Sequence, residues 1–344
     1  MPFPRSAFRL ILLGAVLFAC RAPLPAQNPD PGAAERYGWG FRNFGDTAFT
    51  WDVFSHAFFG VPLDSNDAWL TSSFDKLFYE VGIHKKLPNP DNDNVGAGNC
   101  YGISLLSLMV NKFGGYDGFC APTSAYRGDT AWSNPKGPND LMLHREVDIM
   151  HARQLSLGAV ESDIDQVMTG HAEHSNNAVT LAQQAIGKEG PCIVALMPTA
   201  NPFGSGGHAM IAYGVTDDGA SHAKIWIVDP NRLWAVVSPR DRGWYQKDSN
   251  YIYCDLSTGS WSFLMKDSTV WPTDGAGILA IVPLSVVGPP GRVPSSLGFS
   301  VGELLGKVFL TDRAAGNDAD EFLKHRPLPP ERGTLCPAVS RQSP

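Results

Sequence analysis

The sequence predicts an α+β fold, with an N-terminal helical part, including a helix opened by Cys100, packed on a C-terminal antiparallel sheet. Three observations lead there. Segments before residue 190 carry apolar residues at helical spacing, with polar starts and glycine stops. After it come short β-branched and aromatic runs separated by turn residues, the pattern of hairpins. The two kinds of segment follow one another instead of alternating, which argues against a parallel sheet with crossover helices.

Residues 1–26 read as an export signal. Arg5 and Arg9 form its basic region, Leu10 to Cys20 its apolar core, and "APLPAQ" offers cleavage after Ala26. The apolar run is shorter than the ~20 residues of a spanning helix, and no later segment is long enough either, so no integral membrane span is expected after signal removal. The expected location is outside the cell, in the periplasm or in the cell envelope. Lipid attachment at Cys20 in "LFAC" is a lesser alternative, because Phe18 fits a lipobox badly. Residues 27–42 are polar with Gly and Pro and read as a flexible leader.

Residues 43–285 carry the folded domain. "DTAFTWDVFSHAFFG" and "DAWLTSSFDKLFYEVG" read as helices with Asp46 and Asp67 as N-caps. "LPNPDNDNVGAG" is a loop, and "CYGISLLSLMVNKFGG" a helix stopped by paired glycines. Between Tyr116 and Gly170 the pattern is weak, with a helix beginning in "SDIDQVMTGHAEH". "NNAVTLAQQAIGKEG" is a helix capped near Asn177 and ended by Gly187. "PCIVALMP", "HAMIAYGVTDDG", "AKIWIVDPN", "WAVVSP", "YIYCDL", "WSFLM" and "GILAIVPL" are the strands. Residues 286–344 read as a proline-rich, extended C-terminal region with room for one short helix between "VVGPPGRVPSSLG" and "HRPLPPERG".

Charge and composition remove several functions. With 27 basic against 34 acidic residues and no basic stripe interleaved with aromatics, nucleic acid is not an expected partner. No metal or other cofactor is implied. "HAEH" (His171 to His174) lacks matching partners for zinc, "DNDN" lacks the glycine and closing glutamate of a calcium loop, and "GSGGH" lacks a following Lys-Ser/Thr. Of six cysteines, five remain once Cys20 leaves with the signal, and an odd count in an oxidising compartment leaves a free thiol. Cys100 is the candidate, while Cys192 in "PCIVALM" reads as a packed apolar residue.

A cysteine at a helix start meets unpaired amides and the positive end of the helix dipole, which favour its thiolate. Gly96 and Gly98 let the backbone approach a substrate, and Gly102 keeps space beside the sulfur. A thiol nucleophile needs a base. His208 follows Gly207 at the start of a strand, and Asp229 ends the next strand, so antiparallel pairing brings the two close. Asp229 would then accept one imidazole N–H while the other ring nitrogen takes the thiol proton. A packed helix-start cysteine, a structural histidine and an ordinary "DPN" turn are the competing readings of the same residues.

The order "GNCYGIS", "GGHAMIAYG", "IWIVDPN" resembles the papain-like cysteine peptidase superfamily, and looks closest to its bacterial bacteriocin-processing-like (double-glycine peptidase-like) domains. The resemblance spans roughly Asp91 to Pro283. It implies a papain-like fold with Cys100 as nucleophile, His208 as base and Asp229 as orienting group. An amide side chain before the nucleophile would be an oxyanion donor: Asn94 holds the position where papain has glutamine, and Asn99 is its rival. Gly98 and Gly207 would flank the substrate. The tryptophan that follows the nucleophile in papain is absent here. The implied activity is exported amide hydrolysis, of peptide or protein substrates, through a thioester. A transglutaminase, deamidase or amidase using the same residues, and a non-catalytic extracellular binding module, stand as alternatives. The oligomeric state is not implied.

Overall fold

The computed structural model describes residues 30–44, 50–59, 79, 98–128, 137–138, 140–168, 174–198, 207–217, 221–233, 250–265, 269–272 and 277–287. Its helices are α1 (Ala33–Tyr37), α2 (Trp51–Phe59), α3 (Cys100–Phe113), α4 (Leu141–Ala152), α5 (Leu157–Met168) and α6 (Ser175–Glu189). The strands are β1 (Cys192–Met197), β2 (His208–Asp217), β3 (His222–Val228), β4 (Tyr251–Asp255), β5 (Trp261–Leu264), β6 (Val270–Trp271) and β7 (Ile278–Val282). They form one antiparallel sheet in the order β6-β5-β4-β3-β2-β1-β7, so the chain is α+β.

The side-chain period of two explains why both sheet faces are covered. Ile193, Ala209, Ile211 and Val228 join the core cluster of α3, while Val194, Met210, Ala212, Ile225 and Ile227 join that of α6. α5 lies against β7, the far edge. There Gln166 pairs with the backbone of Ile281 in both directions, donating to its carbonyl and accepting from its N–H at 2.9 Å each. This satisfies an edge that would otherwise invite another strand.

α3 is buried from Cys100 to Val110, so it is a central helix without a solvent stripe. Gly114 at φ 72° ends it, as the paired glycines predict. α4 was not legible from apolar periodicity, because its first residues, Leu141 and Met142, are 83% and 67% exposed. Its start is fixed by Asp140, whose carboxylate accepts from the N–H groups of Met142 and Leu143.

Other elements differ from expectation in identifiable ways. α2 is capped by Thr50, whose Oγ1 accepts from Val53 N, while Asp46, Asp67 and "WAVVSP" lie outside the described residues. α6 starts at Ser175, before Asn177, and passes Gly187 to stop at Gly190, φ 91°, because only there does the chain need a left-handed residue. α5 starts ahead of "SDIDQVM" at Leu157. β6, two residues long, carried no sequence signal.

The stretch read as a flexible leader is structured from residue 30 onward. It forms α1, and then Trp39, Phe41 and Phe44 sit 3%, 1% and 2% exposed in the core around α3. Burial of three large aromatic rings outweighs the local Gly and polar content. Of the C-terminal region from 286, only 286–287, the end of the single turn Leu284–Val287, falls within the described residues.

Candidate active site

Cys100 is the first residue of α3. Its Sγ accepts a hydrogen bond from Ala209 N at 3.3 Å, which ties the helix start to the second residue of β2. One turn later Ser104 Oγ donates to Ala209 O at 3.4 Å and fixes the same junction. His208, the first residue of β2, is thereby held beside the sulfur. Its Nε2 lies 2.8 Å from Asp229 Oδ1, just past the end of β3. That bond leaves Nδ1 as the ring nitrogen available to the thiol. The structure thus brings Cys100, His208 and Asp229 together, 8%, 4% and 1% exposed.

The electrostatics follow from this contact set. Burial opposes an ionised Cys100, but the hydrogen bond and charge of His208 and the Ala209 amide hold its thiol below the ordinary value. Burial also opposes a charged His208, yet Asp229 and Cys100 raise it to about 10. For Asp229, burial is outweighed by His208, by Arg232 and by the N–H of Asn231, which keep it below the usual carboxylate range. Together these shifts favour a thiolate beside an imidazolium, the form in which a cysteine attacks.

"DPN" is at once a turn and part of the candidate site. Asn231 N donates to Asp229 Oδ1 at 2.8 Å, closing an Asx turn that aims the carboxylate at His208. Arg232 Nε lies 3.3 Å from Asp229 Oδ2, and its guanidinium is itself held by Asn250 Oδ1 and Leu264 O. Neither Asn231 nor Arg232 was singled out from the sequence, although both sit in or beside the "IVDPN" motif.

The remaining candidates are placed as follows. Asn99 is buried and its Nδ2 donates to Asp148 Oδ1 at 2.9 Å, while Asp148 Oδ2 lies 3.7 Å from His144 Nδ1. Its N–H donates to Phe44 O at 2.8 Å, so it anchors the loop that enters α3. Gly98 lies under the Asn43 side chain, into which a Cβ would run. Gly207 is exposed immediately before His208. Asn94 and Gly96 lie outside the described residues. Gly102 does not open space beside the sulfur: it lets α4 approach, its Cα facing Val147 O and His151.

Cys192 and Cys254 are free and buried, and Cys120 is in a disulfide whose other half lies outside the described residues. Among the described residues no cluster of three His, Cys, Asp or Glu side chains is placed to hold a metal ion, and no helix is long and apolar enough to cross a membrane. Comparison with protein-family models, curated proteins and solved structures finds no match.

Proposed function

We propose that this protein is an exported cysteine hydrolase of amide bonds, acting on peptide or protein substrates from a papain-like fold. The observation that carries the reading is the contact of a thiol, an imidazole and a carboxylate from three separate elements, with ionisation shifted toward thiolate and imidazolium. The helix opened by Cys100 and the antiparallel sheet that carries His208 support the papain-like fold. The signal-like residues 1–26 and the disulfide at Cys120 support an oxidising, extracytoplasmic setting.

In the proposed reaction the Cys100 thiolate adds to the amide carbonyl carbon, forming a C–S bond and a tetrahedral oxyanion. Being the first residue of a helix, Cys100 has an N–H with no intrahelical acceptor, which serves as an oxyanion donor. Collapse breaks the C–N bond, and His208 gives its proton to the leaving amine. Neutral His208 then takes a proton from water, whose hydroxide adds to the thioester. Breakdown releases the acid and restores the thiolate and imidazolium. Asp229 stays ionised throughout and holds the ring through Nε2.

Incubation of the full chain with a mixed peptide library in 18O-water tests this directly. New acid termini carrying 18O, absent with Cys100→Ala, are expected. Isopeptide products, or release of ammonia without chain cleavage, would instead indicate transfer or deamidation.

A further inference from the structure

Two amide side chains beside the proposed site have no role in the mechanism above. Asn43 comes from the segment after α1, and Asn231 from the turn after β3. Asn43 Nδ2 donates to Asn231 Oδ1 at 3.0 Å, and Asn231 Nδ2 lies 3.3 Å from His208 Nε2. Asn43 is fixed at both ends: its backbone N–H donates to Pro230 O at 2.7 Å, and its side chain fills the space that the missing Cβ of Gly98 leaves. Its Oδ1 is buried and has no hydrogen-bond partner.

The polarity of this chain matters. His208 Nε2 carries a proton when it donates to the Asp229 carboxylate, and a proton-bearing nitrogen has nothing to accept from the Asn231 NH2 group. An amide presents oxygen and nitrogen at nearly the same two places. A joint half-turn of both side chains therefore keeps the frame and reverses every polarity. Asn231 Oδ1 then takes a share of the Nε2 proton, and Asn231 Nδ2 donates to the otherwise orphaned Asn43 Oδ1. One arrangement suits an Nε2 without a proton, and the other suits the Nε2–H that donates to Asp229, most strongly when the ring is imidazolium. The other charged groups that bear on the ring are Cys100 from α3 and Asp229, with Arg232 acting through Asp229.

We propose that Asn43 is a positioning residue which, acting through the Asn231 amide, holds the edge of the His208 ring and stabilises its protonated form. The inference rests on the reading of His208 as the base, and its test does not depend on hydrolysis.

The test follows the His208 ring nitrogens by NMR through a pH titration of the 15N-labelled full chain, with the signal assigned by its loss in His208→Gln. Asn231→Ala and Asn43→Ala each should lower the His208 midpoint by about one to two units, the share expected when one hydrogen bond to a charged group is lost. The double variant should fall no lower than Asn231→Ala, since Asn43 acts through that residue. Asn43→Asp keeps the volume and can only accept, which commits Asn231 Oδ1 to the ring, so its midpoint should equal or exceed the wild-type value. Shifts that add in the double variant overturn the proposal, as does an Asn43→Ala chain that melts earlier with an unchanged His208 midpoint. If Asn43→Ala does not fold, Asn43→Asp decides, and a midpoint below wild type overturns the proposal. A chain without hydrolase activity whose His208 responds as expected retains this inference and loses the proposed function. An active hydrolase whose His208 ignores Asn43 does the reverse.

Discussion

Burial alone makes a thiol harder to ionise, and Cys192 and Cys254 show it, pushed up to about 12. Cys100 shares their burial and moves the other way, because His208 and the Ala209 amide supply what water no longer does. The rate of amide cleavage should therefore rise with pH through a thiol value below the ordinary one. It should fall near pH 10, where His208 loses its proton. Asp229→Asn removes the charge that raises His208, so its alkaline limb should move toward the ordinary imidazole value of about 6.5, and kcat should fall by about 10²- to 10⁴-fold. A pH-rate profile of the purified variant checks both; an alkaline limb that stays near 10 would remove Asp229 from the role. At this scale the sequence was informative where residue type and element end coincide, as at Cys100, His208 and Asp229. Asn43 was hidden because its contacts are set by register, not by local pattern. Asn231 stood within a quoted motif, but nothing local shows that a turn residue faces a ring.

α3 places the proposed nucleophile, and its position depends on how closely α4 can lie. Gly102 makes that approach possible, since a Cβ there would strike Val147 O and the His151 backbone. Gly102→Ala should cost about 1–3 kcal/mol, the usual range for overpacking, and lower the melting temperature by several degrees. Thermal unfolding followed by circular dichroism measures this; an unchanged melting temperature would mean the helices separate freely. The beginning and end of α3 were legible, because a Gly-rich entry and paired glycines bracket one apolar run. α4 was obscured by two exposed apolar residues at its start, and the α6 boundaries by a glycine that the helix tolerates at position 187. Strands β1 to β5 and β7 each carried β-branched or aromatic runs, whereas two-residue β6 is held only by its pairing with β5.

Over the whole molecule, the sheet lies between α3 on one face and α6 on the other, and the segment 39–44 ties the site together from outside the motifs. Trp39 Nε1 donates to Ile103 O at 3.1 Å, Asn43 N bonds Pro230 O, and Phe44 O accepts from Asn99 N. These bonds reach α3, the turn after β3 and the loop entering α3, the same three places that orient Cys100 and Asp229. Local composition misread this segment because its aromatics, spaced among Gly and Arg, find their partners far along the chain. Among the described residues the same long-range packing buries three free thiols, Cys100 on the α3 side of the sheet and Cys192 and Cys254 on the α6 side, while giving a charged partner to Cys100 alone. Iodoacetamide labelling across pH, mapped by mass spectrometry, reads that difference in a single experiment. Cys100 should be modified with a midpoint well below the free-cysteine value of about 8.5, while Cys192 and Cys254 stay unmodified at neutral pH. A Cys100 midpoint at or above that value, or labelling of all three thiols alike, would contradict the thiolate–imidazolium pair on which the proposed chemistry stands.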